Sequence, residues 1–97
     1  MSIRNLQKEC HEISRAHGFW ESPVNIPEKL ALIHSEVSEA LEDYRNDADY
    51  HFGEELADIV IRVMDLAEHV RVDLEAEVER KLAINRDRPY RHGGKRC

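Results

Sequence analysis

Four carboxylates, Glu36, Glu39, Glu55 and Asp58, have the spacing to share a cation. Glu36 and Glu39 stand at i, i+3, and so do Glu55 and Asp58. Such residues on a helix carry Cβ atoms about 5–6 Å apart. Two pairs on neighbouring helices would line one cleft with four negative charges. Partial burial costs on the order of several kcal/mol per charge unless each is paired. A hard divalent cation removes that cost. Mg²⁺ takes oxygen ligands at about 2.0–2.1 Å, uses one or two carboxylates and keeps waters and substrate phosphates in its shell. Four carboxylates could therefore serve two or three ions. Either pair alone is also what a solvated helix face of an acid-rich chain carries, so the supporting elements decide.

The 3.6-residue period predicts helices over 3–17, 26–45, 52–70 and 74–88, and no run alternates long enough for a strand. Ser2, Asn25 and Asp73 are suited to N-cap them, Gly18 to end the first and Pro89 to stop the fourth. The expected fold is all-α: a four-helix bundle-like single domain over 1–97 with a basic tail at 89–97. The second helix has the apolar stripe Leu30, Ile33, Val37, Leu41 and Tyr44. The third has Leu56, Ile59, Val60, Val63, Leu66, Ala67 and Val70, with Ile61 and Met64 off that stripe. A helix apolar on more than one side is buried on more than one side. In a chain of 97 residues a partner subunit would supply the cover, so dimerisation is expected to complete the fold.

On a wheel of about 100° per residue, Glu36 and Glu39 share one flank of the second helix with Leu32 and Asp43. Glu55 and Asp58 share the matching flank of the third with Arg62 and Asp65. An antiparallel pair would bring both acidic flanks to one cleft. On the fourth helix, Lys81, Asn85 and Arg88 fall within about 40° of Leu74, on the face expected to point inward. Two cations and an amide in a line suit a polyphosphate.

The net charge of −6 is unevenly distributed. The last eighteen residues hold seven of the fourteen Lys and Arg and one of the twenty acids, hence +6 there and −12 before them. A basic tail alone would suggest nucleic acid. Beside an acidic centre it suggests an anion bridged by a cation, and argues against nucleic acid as partner. No apolar run approaches the ~20 residues of a membrane span, and MSIRNLQKEC has no apolar signal region. Cys10 and Cys97, at opposite ends, fit neither a disulfide framework nor a zinc motif, which points to a cytoplasmic setting. The six histidines include no H-x-x-x-H pair.

The run Leu32-Ile-His-Ser-Glu36-Val-Ser-Glu39-Ala-Leu, followed by Gly53-Glu-Glu55-Leu-Ala-Asp58-Ile, resembles the MazG-like nucleotide pyrophosphohydrolases of the all-α NTP pyrophosphatase superfamily. Their pattern is E-E-x-x-E, a variable gap, then E-x-x-D. The run from Lys81 through Asn85, Arg88, Pro89, Tyr90 and His92 to Gly93-Gly94-Lys95 is similar to their C-terminal segment. The resemblance implies that Glu36, Glu39, Glu55 and Asp58 hold Mg²⁺, with Mn²⁺ as a substitute, and that Lys81, Asn85 and Arg88 contact phosphate or nucleotide. It implies cleavage of a (d)NTP between the α and β phosphates to (d)NMP and pyrophosphate. A water would attack phosphorus and give its proton to Glu36 or Glu39, while Lys81 and Arg88 neutralise the leaving pyrophosphate. It also implies a homodimer, or a tetramer built from dimers, with sites drawn from more than one subunit. One position departs from the pattern. Ser35 stands where the first Glu would, so ordering the attacking water falls to the remaining carboxylates.

Trp20 and Phe19, after the first helix, could stack on a base or plug the open end of the bundle. Tyr90 could pack or meet the nucleotide. His92 and Lys95, around Gly93-Gly94, would sit near substrate in a flap. Three other readings compete. Phosphoribosyl-ATP pyrophosphohydrolase belongs to the same superfamily. A di-iron bundle would want Glu-x-x-His motifs, where this chain has Glu-x-x-Glu and Glu-x-x-Asp. A non-enzymatic helical module would bind nucleic acid through the tail.

Overall fold

A computed structural model of the chain describes residues 1–46, 49–91 and 96. Four helices follow in order: α1 (Ile3–Ala16), α2 (Ile26–Arg45), α3 (Asp49–His69) and α4 (Leu74–Arg86). No strand occurs among the described residues, and no helix there is long and apolar enough to cross a membrane. The three expected caps are made. Ser2 Oγ accepts from Asn5 N, Asn25 Oδ1 from Glu28 N and Asp73 Oδ1 from Ala76 N, each at 3.1 Å. Gly18 takes φ +84°, the left-handed conformation that a glycine adopts without a Cβ clash.

Two boundaries differ from the periodic reading by more than one residue. α3 begins at Asp49, three residues earlier, because a first turn tolerates residues outside the apolar period. α4 ends at Arg86, with Asp87 as its C-cap, because Pro89 pushes the residue before it out of helical conformation.

α3 is the central helix and packs against both α1 and α2. Its side toward the interior carries Met64 and Ala67, which are buried, while Leu56 and Val60 are 47% and 53% exposed. This corrects the expected stripe, in which Met64 lay at the back. A helix flanked by two neighbours has two inner sides, and periodicity alone names only their average. On α2 the buried residue is Ala40, while Leu30, Val37 and Leu41 are half exposed. The two stripes thus leave an open apolar face.

α1 is tied to the far end of α3 by Gln7, the one buried polar side chain among the described residues. Its Nε2 donates to Glu68 Oε1 (3.0 Å) and to the Val72 carbonyl (2.8 Å), and its Oε1 accepts from Leu74 N (3.3 Å). Arg4 reinforces the junction through Asp73 (2.9 Å) and Glu75 (3.0 Å). α4 leaves from this junction, and its main contact is with α1. Beyond Leu74 and Glu75 it is exposed throughout. The radius of gyration, 15.8 Å, exceeds the about 12–13 Å of a compact chain this long.

Gln7→Ala leaves the Leu74 amide and the Val72 carbonyl short of a partner. It should lower unfolding stability by about 1–3 kcal/mol. Urea denaturation with an unshifted midpoint would remove Gln7 from this role.

Candidate metal centre

The polar connection between α2 and α3 is too short for anything but an antiparallel return. The two acidic flanks therefore meet along one seam. One ligand atom each from Glu36, Glu39 and Glu55 lies within 4.8 Å of the others. Asp58 lies close enough for its charge to act on Glu55, and it borders the same cleft as Glu36. The structure thus draws the four sequence candidates into one neighbourhood, three of them tightly.

It adds a fifth carboxylate, Asp43, one helical turn beyond Glu39. Asp43 neighbours Glu55 across the seam, and its carboxyl acts on that of Glu55. That contact comes first in pushing the Glu55 carboxyl up to about 7, ahead of its burial and the charges of Asp43, Glu39 and Asp58. Oε2 of Glu55 is buried with no hydrogen-bond donor to it among the described residues. Carboxylate oxygens alone make up this donor set, which is the chemistry a hard cation takes and zinc or copper does not require.

Arg62 is the second residue that motif reading passed over. Its Nε donates to Glu36 Oε1 at 2.7 Å. The wheel had put Asp43 and Arg62 on the two acidic flanks, which was the available signal. Ser35 takes no part: it is exposed, and its hydroxyl donates to the Ala31 carbonyl at 3.3 Å, within its own helix.

Beside the seam lies an open cleft of about 470 Å³. Glu36, Asp58, Arg62 and Asp65 form its polar side, and Ile13, Phe19, Leu32, Ile61 and Leu66 its apolar side. Cys10 also lines it. Burial, Asp65 and Glu9 push that thiol up, so it is a protonated wall atom and not a nucleophile.

Trp20 also lines the cleft. Its Nε1 donates to Asp65 Oδ1 at 3.0 Å, and His11 Nδ1 meets the same oxygen at 2.7 Å. The indole stacks on His69 at 4.0 Å with 9° between the planes. The Lys29 ammonium lies 4.3 Å from the ring centroid, and with His69 already stacked that places it over the opposite face. The indole is therefore engaged within the chain by His69, Lys29 and Asp65. Phe19, largely exposed at the cleft, keeps a ring face available.

Lys81 and Asn85 are exposed on α4, Arg88 is exposed just beyond its end, and none of the three borders the cleft. The inward face expected for them is not inward within one chain, because α4 turns away from the α2–α3 seam. Tyr90 is exposed with the Arg91 guanidinium 5.5 Å from its ring centroid. His92 and Lys95 lie outside the described residues.

No family model matches this chain, and comparison with curated proteins and with solved structures returned no match.

The Glu55 carboxyl makes stability depend on pH. Its ordinary value is 4.5, and the folded value is about 7. Its contribution is whole below pH 4.5, and it is lost as pH rises toward about 7, where the folded chain must give up a proton the unfolded chain has already lost. In chelator, the melting temperature should fall from pH 5 to pH 7.5, and millimolar Mg²⁺ should recover it at pH 7.5. Glu55→Gln should flatten both responses. A variant with the wild-type pH and Mg²⁺ dependence would show that Glu55 is not the group responsible.

Proposed function

We propose that this chain is a Mg²⁺-dependent nucleoside triphosphate pyrophosphohydrolase of the MazG-like kind, cleaving a (d)NTP between its α and β phosphates. The observation that carries this reading is the α2–α3 seam: Glu36, Glu39 and Glu55 converge within 4.8 Å, and a buried Glu55 oxygen has no donor among the described residues. A solvated acidic face would spread its charges apart. These side chains are held together against their repulsion, as a cation-binding set would be.

The donor set fits Mg²⁺. Glu36, Glu39, Glu55 and Asp58 are the residues to hold it, with Asp43 adjoining. When bound, the ion supplies positive charge against the triphosphate and lowers the pKa of an attacking water. The remaining chemistry belongs to side chains. In hydrolysis a water oxygen bonds to phosphorus, the bridging P–O bond breaks and the water proton goes to a carboxylate. Glu39, exposed at the cluster, and Glu36, at the cleft, can take it. The cleft beside Glu36 and Asp58 has room for a nucleoside, with Phe19 as the ring a base could meet.

Dimerisation, or a tetramer of dimers, belongs to the same reading. The chain exposes 7754 Å², where a compact monomer of 11.3 kDa exposes about 5,700 Å². The excess surpasses the about 800 Å² per partner of an ordinary interface. A second copy laid on the Leu30, Val37, Leu41, Leu56 and Val60 face would cover the open stripe. In such an assembly Lys81 on α4 and Arg88 just beyond it have a route to a neighbour's triphosphate that they lack within one chain.

Wild-type protein with Mg²⁺ should release pyrophosphate from one or more members of a panel of NTPs, dNTPs and phosphoribosyl-ATP. Chelator should stop the release, and Glu55→Ala should bring turnover to background. Absence of pyrophosphate from every substrate would overturn the reading. In sedimentation, wild type should run as a multiple of 11.3 kDa, and Leu56→Glu with Val60→Glu should shift it to monomer. A wild-type monomer would remove the assembly from the proposal.

A further inference from the structure

The seam between α2 and α3 keeps one register over two helical turns. Asp43 neighbours Glu55 at one end, and at the other Glu36 accepts a hydrogen bond from Arg62. Glu39 and Asp58 stand between these rungs. The two ends differ in charge. At the Asp43 end, carboxyl faces carboxyl. At the Glu36 end, a guanidinium closes the row.

Arg62 is one turn beyond Asp58 and two beyond Glu55 on the same flank of α3, so it reaches Glu36 across the helix pair. The 2.7 Å contact is a charge-assisted bond made by Nε to a single oxygen, Oε1. Glu36 itself is largely buried, its side chain 12% exposed, whereas that of Arg62 is 40% exposed at the cleft. A glutamate has three rotatable bonds, and a ligand atom must be held still to be useful. Fixing Oε1 sets the carboxylate plane and leaves the other oxygen for a cation.

We propose that Arg62 is a positioning residue that orients the Glu36 carboxylate for a divalent cation, an inference that rests on the metal-binding reading above. Two effects of the guanidinium oppose each other. Its charge repels a cation, so charge alone predicts that removing it tightens binding. Its hydrogen bond orients a ligand, and losing such an outer partner weakens metal affinity by about 10–100-fold. The short bond to a largely buried carboxylate, set against a half-exposed and water-screened charge, makes orientation the larger effect.

The test measures Mn²⁺ binding to nucleotide-free protein by electron paramagnetic resonance, alongside the thermal midpoint. Arg62→Met keeps the apolar stem and removes the donor, and it should bind Mn²⁺ at least about tenfold more weakly than wild type. Arg62→Lys restores a charged donor without the planar fork and should fall between the two. Arg62→Met with wild-type or tighter affinity overturns the proposal. Should Arg62→Met fail to fold, Arg62→Lys decides: weaker binding with the charge retained supports positioning, and unchanged binding overturns it. The wild-type arm separates this inference from its parent. Wild type that binds no Mn²⁺ sinks the metal reading and this inference together, whereas wild type that binds with variants that bind equally sinks this inference alone.

Discussion

Repulsion between carboxylates across the α2–α3 seam is the constraint around which the rest is arranged. Two helices with matched acidic flanks would separate if charge alone acted. They are held by their packing on each other, by the short connection that fixes their antiparallel order, and by the Arg62–Glu36 bond at one end of the row. At the other end the strain is left in place, visible as the raised Glu55 carboxyl and its donorless oxygen. Perturbed carboxyls of this kind cluster at functional sites.

The scaffold meets that constraint with little core. Ala40, Met64 and Ala67 are the buried apolar residues among those described, and two of the three are alanine. Small residues let helix backbones approach closely, which is what brings carboxylates on facing helices within reach of one another. Larger residues are displaced to the rims and left half covered. The same close approach that builds the seam therefore opens the apolar face beside it.

Much of this was readable from residues alone, where the physics is local. Ser2, Asn25 and Asp73 cap their helices because a side-chain oxygen three residues before an amide can reach it whatever the tertiary fold. The acidic pairs shared a seam because flank and antiparallel order follow from period and loop length. What escaped depends on neighbours. Met64 is inward because α1 lies on a side of α3 that no periodicity identifies. Gln7 is buried because it has three partners on the α3–α4 junction, and each is distant in sequence. Asp43 and Arg62 stood on the correct flanks, yet their roles come from the register of one helix on another. The α4 cations illustrate the reverse case. Their shared face was legible, but the direction of α4 was not, because the junction at Gln7 and Arg4 steers that helix away from the seam.

Trp20 is the only tryptophan in the chain, and its surroundings give it a further consequence. A charged amine lies over one face, an imidazole under the other, and a carboxylate on its indole nitrogen. Each of these groups alters indole emission, and Asp65 and Lys29 line the cleft beside the carboxylates. The molecule thus carries an intrinsic optical reporter seated at the mouth of its own cleft, with no second fluorophore of the same kind to obscure it. Whatever enters that space and disturbs the amine, the imidazole or the carboxylate is written into the colour and brightness of one residue.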